Sequence, residues 1–173
     1  MPAYEHVHVV GFEETSLVGN VYFTNYLLLQ GACRERFLAE HASAVLAPLA
    51  RREVGFFTHS CACEWRGDWG FEGLDRVLVR MRLARFRGGR MRLEFEYAHE
   101  RRPTEIVATG SQEVHCKVRR GDEWIPAPFP APLLRALYAF ADTDELRAGL
   151  TEALEFLAAR PGAPEGPARE AAS

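Results

Sequence analysis

Residues 75–100, DRVLVRMRLARFRGGRMRLEFEYAHE, decide the architecture. Their apolar period is two. Val77, Val79, Met81 and Leu83 share one face of the first arm, and Met91, Leu93, Phe95 and Tyr97 share one face of the second. Arg92, Glu94 and Glu96 fall on the opposite side, so one face is apolar and the other meets water. Between the arms stands Gly88-Gly89, a pair that closes antiparallel hairpins because glycine adopts positive φ without steric cost.

Outward from this hairpin the two-residue period continues. Upstream, EVGFFTHSCACEWRGDWGF reads as a strand ending at a Gly/Asp turn; downstream, RRPTE turns the chain into a last long strand, IVATGSQEVHCKVR. Near the start, YEHVHVVGF is a first strand and EETSLVGN carries turn chemistry. From about Tyr22 to Ala47 the period changes to that of a helix, with Leu27, Leu28, Ala32, Phe37, Leu38, Val45 and Leu46 at three- and four-residue steps. Pro48 closes it. Gly31 inside the helix costs about 1 kcal/mol of propensity and points to close packing against another backbone.

The order is strand, long helix, then four antiparallel strands, of which three exceed the usual five or six residues. A sheet that long with one apolar face buries it by curling around the single helix. That is an α+β hotdog fold; a ferredoxin-like fold would need a second helix between the strands. We assign the hotdog domain to 1–125 and a helical C-terminal appendage to 126–160. The appendage contains an amphipathic helix, DTDELRAGLTEALEFLAAR, with Asp142 and Glu145 at capping-box spacing. Residues 161–173, PGAPEGPAREAAS, have the composition of a disordered tail.

Composition bounds the function. With 173 residues, 47% hydrophobic and 26% charged, the chain has the profile of one ordinary globular domain. A net charge of −3 gives no global case for nucleic acid. No apolar run approaches the roughly 18 residues of a membrane span, and MPAYEHVHVV lacks the parts of a signal peptide, so the expected location is the cytoplasm. Cys61 and Cys63 lack C-x-x-C spacing and Cys33 and Cys116 stand alone, so all four read as small buried hydrophobes.

The segment FEETSLVGNVYFTNYLLLQGACRERF, continued by SCACEW and RVLVRMRL, resembles the enediyne polyketide thioesterases, a hotdog family related to the hydroxybenzoyl-CoA thioesterases. The resemblance covers about residues 5–120. It implies hydrolytic release of a polyene β-ketoacyl chain from the acyl carrier protein domain of an iterative polyketide synthase, by a homotetramer that uses no cofactor. Hydroxybenzoyl-type enzymes carry the pattern D-x-x-G-x-V-x-x-x-N-Y, whose aspartate attacks the thioester or activates water. Gly19, Val21, Asn25 and Tyr26 match it, but Ser16 stands at the aspartate position. The enediyne enzymes also lack the acid there, commonly carrying asparagine.

The resemblance makes Arg34 the leading candidate, an arginine of the central helix that polarises the thioester carbonyl; a pre-aimed guanidinium suits a developing oxyanion. The bland alternative is a solvated arginine paired with Glu35. Tyr26 lies about 80° from Arg34 around an ideal helix and two turns away, so both can line one half of a cleft. Ser16 and Asn20 precede the helix, where either can hold the attacking water or serve merely as turn and cap. Ser16 has no evident base to make it a nucleophile. Glu35, between two arginines, is a poor general base and a good ion-pair partner. The histidines are scattered; His41 is placed after the helix, unlike the helix histidine of hotdog dehydratases.

FFTHSCACEW with Met81, Met91 and Phe95 reads equally as acyl-tunnel lining or core. Arg76, Arg80, Arg82, Arg85, Arg87, Arg90 and Arg92 read either as a salt-bridged wet face or as a docking surface for an acidic carrier. An acyl-binding, carrier-docking hotdog without catalysis is the alternative from another class.

Overall fold

The computed structural model describes residues 3–67 and 70–159; the expected disordered tail lies outside them. The elements are β1 (Tyr4–Val9), α1 (Phe23–His41), α2 (Leu46–Ala50), β2 (Val54–Trp65), β3 (Arg76–Arg87), β4 (Arg90–His99), β5 (Arg102–Arg120), β6 (Glu123–Pro126), α3 (Ala131–Ala139) and α4 (Asp144–Ala158). All strand pairs are antiparallel, in the order β1-β3-β4-β5-β2, with β6 pairing β5.

The quoted hairpin forms as its pattern predicts. Val79 faces Tyr97, Met81 faces Phe95 and Leu83 faces Leu93 across the ladder, all buried. Ala108, Gln112, Val114 and Cys116 of β5 extend this inner face. At the tip only Gly88 has positive φ (59°); a Cβ on Gly89 would strike the Ala127 carbonyl, where the chain after β6 abuts the hairpin. The sheet curls around α1, the hotdog arrangement.

α1 packs Tyr26, Leu29, Gln30, Cys33, Phe37 and Leu38 onto the concave face. The apolar stripe differs from the one expected: Leu28 is exposed and the polar Gln30 is buried. Among the described residues nothing lies near a Cβ built on Gly31, so none of their backbone packs there within one subunit. The helix also ends earlier than expected. It stops at His41, Ala42 leaves helical geometry with φ −138°, and a 3₁₀ turn leads into α2. Pro48 does not close a helix; it sits in the first turn of α2, where a missing N–H removes no helical bond. His41 is the last residue of α1 rather than a residue beyond it, and its ring packs among Tyr4, Phe37 and Phe140.

β5 begins at Arg102, inside the RRPTE segment expected to turn, with Arg102 already opposite His99. The C-terminal helices share the core of the sheet. Phe129, Leu133, Leu134, Leu137, Ala141, Leu146 and Leu150 are buried in the same cluster as Phe37 and Phe95. Burying one such side chain stabilises by roughly 1.5–3 kcal/mol, so these helices hold one end of the hotdog together. The cap of α4 is Thr143, whose hydroxyl accepts from Leu146 N, rather than Asp142.

Candidate active site

The loop between β1 and α1 is built around Glu14. Its carboxylate accepts from Gly11 N at 2.7 Å and meets His8 Nε2 at 2.8 Å. Its carbonyl accepts from Asn25 Nδ2 at 2.7 Å and from Tyr22 N at 2.8 Å. Thr15 and Val21 form an isolated bridge, and inside it Ser16 N donates to Asn20 O at 2.7 Å while Gly19 N donates to Ser16 O at 2.9 Å. Gly19, at φ 89°, makes that turn possible. Two motif residues are thereby explained by local structure, with Gly19 turning the chain and Asn25 tying the helix to the loop.

Ser16 and Asn20 are therefore neighbours, as expected, but neither caps α1, whose N-cap is Tyr22. The Ser16 side chain is half-buried and makes no hydrogen bond among the described residues. Asn20 Oδ1 is buried without a partner. Phe12, Thr15, Ser16, Leu17, Val18 and Tyr22 line an open pocket of about 690 Å³. Leu17 and Val18 project outward at 108% and 80% exposure, an apolar finger that none of the described residues covers.

Tyr26 does not line a cleft with Arg34. It is 1% exposed, enclosed by Trp65, Phe71 and Tyr97. Burial raises its phenol pKa against hydrogen bonds from the Phe71 backbone and the Trp65 side chain. Its own carbonyl accepts from Tyr97 Oη at 2.7 Å. The 80° separation was right for an ideal helix, yet Tyr26 turns into the aromatic cluster of Trp65, Phe71 and Tyr97 while Arg34 reaches Thr58 and Gln112.

Arg34 reaches β2 and β5. Nη1 donates to Thr58 Oγ1 at 2.9 Å and to Gln112 Oε1 at 3.0 Å, while Nε is buried with no acceptor. Desolvation lowers the guanidinium pKa, against a smaller opposing pull from Glu35. Glu35 itself is exposed and forms no ion pair among the described residues, so the Arg34–Glu35 pairing of the alternative reading is absent. Thr58 and Gln112 were missed in the sequence because both sit in alternating strands, where a lone polar residue reads as the wet face. The β-bulge between Thr58 and Ser60 changes which residues of β2 face inward.

One chain does not bring all four candidates together. Arg34 lies about 16 Å along the helix axis from its start, at 1.5 Å per residue, whereas Ser16 and Asn20 precede that start. Met81, Met91 and Phe95 are core residues at 3%, 3% and 1% exposure. Cys33 and Cys116 are buried as expected, with thiols pushed up to about 12 by desolvation, but Cys61 is exposed on the edge strand. The arginine-rich face divides. Arg76, Arg80, Arg82 and Arg92 pair with Glu100, Glu5, Glu96 and Glu94. Arg85, Arg87 and Arg90 form no ion pair among the described residues, although Arg87 stands directly opposite Arg90 and Arg85 opposite Arg92.

No family model and no curated protein sequence matches the chain. Solved structures do. The dynemicin thioesterase, known from crystal structures that reveal induced-fit and allosteric effects upon polyene binding, is 41% identical over 82% of this chain and 99% of its own, with a TM-score of 0.74. A 1,4-dihydroxy-2-naphthoyl-CoA thioesterase from Synechocystis superimposes with a TM-score of 0.68 at 16% identity, covering 78% of this chain and 95% of its own. A gentisyl-coenzyme A thioesterase gives 0.64 at 18% identity, covering 77% and 98%.

Proposed function

Because the chain belongs to the enediyne polyketide thioesterases of the hotdog superfamily, we propose that it releases a polyene β-ketoacyl chain from the acyl carrier protein domain of an iterative polyketide synthase. Its activity is that of a thioester hydrolase. The observation that supports the mechanism is Arg34. Its Nη1 is fixed on Thr58 and Gln112, and its buried Nε–H has no acceptor among the described residues. A donor held in place and left open is what a developing oxyanion needs, since it stabilises charge without reorganising during the reaction. No carboxylate stands at position 16, so a positioned water attacks and the Ser16–Asn20 turn orients groups around it. Tyr26 acts indirectly, packing against Phe71, whose carbonyl receives Val21 N at 2.6 Å and steadies the loop. The released β-ketoacid then loses CO₂.

The site closes between subunits. β2 is an edge strand with Thr58–Ala62 exposed, offering unpaired backbone groups to a second copy. Pairing along that edge, with the Leu17-Val18 finger covered, brings the loop of one protomer toward Arg34 of its partner, and a dimer of such dimers gives the homotetramer. No helix among the described residues is long and apolar enough to cross a membrane. The paired and unpaired arginines support an acidic carrier as partner through Arg85, Arg87 and Arg90.

Incubating the protein with a polyene-loaded carrier tests the reading: free acid and free carrier thiol are expected, at a rate that exceeds release from the corresponding acyl-CoA. A second reading, an acyl-binding module without catalysis, is favoured only by the absent acid at position 16; it predicts saturable binding with no acid released.

A further inference from the structure

Gln30 is fully buried in the face of α1 that meets the sheet. Its Nε2 donates to Ala62 O at 2.9 Å, on the exposed edge strand. The amide also sits beside the Tyr97 hydroxyl, whose pKa it lowers against the larger raising effect of burial. It fills the space that a side chain at position 110 would take: a Cβ on Gly110 would collide with Gln30 Nε2. The opposite amide orientation would set Oε1 against the Ala62 carbonyl, acceptor to acceptor, so the hydrogen bond fixes which atom points where.

That orientation leaves Gln30 Oε1 buried with no donor. Four residues on, and therefore on the same helix face, Arg34 Nε is a buried donor with no acceptor. A buried polar group left unpaired is expensive, and native proteins rarely keep one without a use. Here the two are complementary, an acceptor and a donor one turn apart on side chains that reach β2 and β5 from the same helix. A thioester carbonyl satisfies the donor. The attacking water, which must offer a hydrogen, satisfies the acceptor.

Resting on the thioesterase reading, we propose that Gln30 positions the hydrolytic water, its Oε1 accepting one O–H while Arg34 Nε–H holds the thioester carbonyl. The water oxygen forms a bond to the carbonyl carbon and the carbonyl electron pair moves onto the oxygen held by Arg34. On collapse the C–S bond breaks and the departing sulfur takes a proton from the attacking oxygen, giving one acid and one thiol. Gln30 accepts a hydrogen bond and never the proton, because an amide oxygen is too weak a base. The arrangement explains how a site without a carboxylate at position 16 still aims its nucleophile.

The test compares wild type, Gln30→Met and Gln30→Glu on a β-ketoacyl pantetheine thioester. Gln30→Met keeps the volume and removes the acceptor. It should leave KM within about twofold and lower kcat by roughly 10–100-fold, the scale of a misplaced reactant. Gln30→Glu puts a true base at the same point and should add a rising limb to the pH–rate profile as the carboxylate ionises. A folded Gln30→Met with wild-type kcat, or a Gln30→Glu profile identical to wild type, overturns the assignment. Should both variants fail to fold, a high-resolution crystal structure of the wild type decides: an ordered water within about 3.2 Å of Gln30 Oε1 is expected, and a dry Oε1 overturns it. Wild type that releases no acid sinks the thioesterase reading itself, whereas full activity in Gln30→Met removes only the role of Gln30.

Discussion

Replacing Arg34 by alanine should separate catalysis from stability. Two hydrogen bonds disappear, and Gln112, only 4% exposed, loses the donor to its Oε1. An acceptor stranded in this way costs about 1–3 kcal/mol. The same substitution removes a buried, unpaired Nε–H and relieves the desolvation that lowers the guanidinium pKa. That relief is of similar size, so the net change in unfolding free energy should stay within about 1–2 kcal/mol. Turnover should fall much further, by roughly 10²–10³-fold, the loss expected when an oxyanion donor is removed. Arg34→Lys retains the charge but lacks the fork of donors, so only part of the rate should return. Single-turnover acid release, thermal unfolding and light scattering measure the three quantities. Wild-type turnover in Arg34→Ala at unchanged oligomer size would refute the reasoning.

Ser16→Ala should slow hydrolysis by about tenfold or less, the scale of one lost neutral hydrogen bond, and Ser16→Asp should bring no large gain because the surrounding turn was not built to orient a carboxylate; loss of all activity in the alanine variant would instead mark Ser16 as a nucleophile. Thiol reagents should reach Cys33 and Cys116 only on unfolding, since both are buried and desolvation pushes their thiols up to about 12 and keeps them protonated near pH 8. The same shift has a stability consequence: the folded state holds these protons longer than the unfolded chain, so stability is unaffected below the ordinary thiol value of 9.0 and falls as pH rises from there toward about 12, a decline that alkaline unfolding titrations should record. Leu134→Ala should destabilise the whole domain by about 2–5 kcal/mol in denaturant unfolding, because Leu134 of α3 is fully buried in the common core; a loss below about 1 kcal/mol would mean the C-terminal helices are dispensable.

The sheet was legible because its signals are local. Alternation in β3 and β4 and the Gly88-Gly89 turn are properties of neighbouring residues, and the inner face appeared where the period placed it. The end of α1 was not legible, since Ala42 breaks the helix with no glycine or proline to mark it, and Pro48 sits where a helix tolerates it. Pro103 hid the start of β5 for a related reason: it lies near the strand's end, beyond most of the ladder. The site was legible in part. Ser16 stands out through its motif position, Arg34 through the family resemblance and Asn20 as a turn residue before the helix, but Gln30 is a single polar residue in a leucine-rich helix, and only the Ala62 carbonyl and the missing side chain of Gly110 make it a buried one. Leu28 is the converse, an apolar residue whose burial the helix period suggested and one subunit does not supply.

The most direct measurement is a single turnover in H₂¹⁸O, following enzyme, carrier and product by intact mass spectrometry. The account predicts one ¹⁸O in the carboxylate of the acid before it decarboxylates and none in the ketone left afterwards, a carrier returned to its free thiol, and no acyl mass on the protein at any time. An acyl adduct on Ser16 would contradict the positioned-water mechanism, and a carrier that keeps its acyl chain would contradict thioester hydrolysis itself.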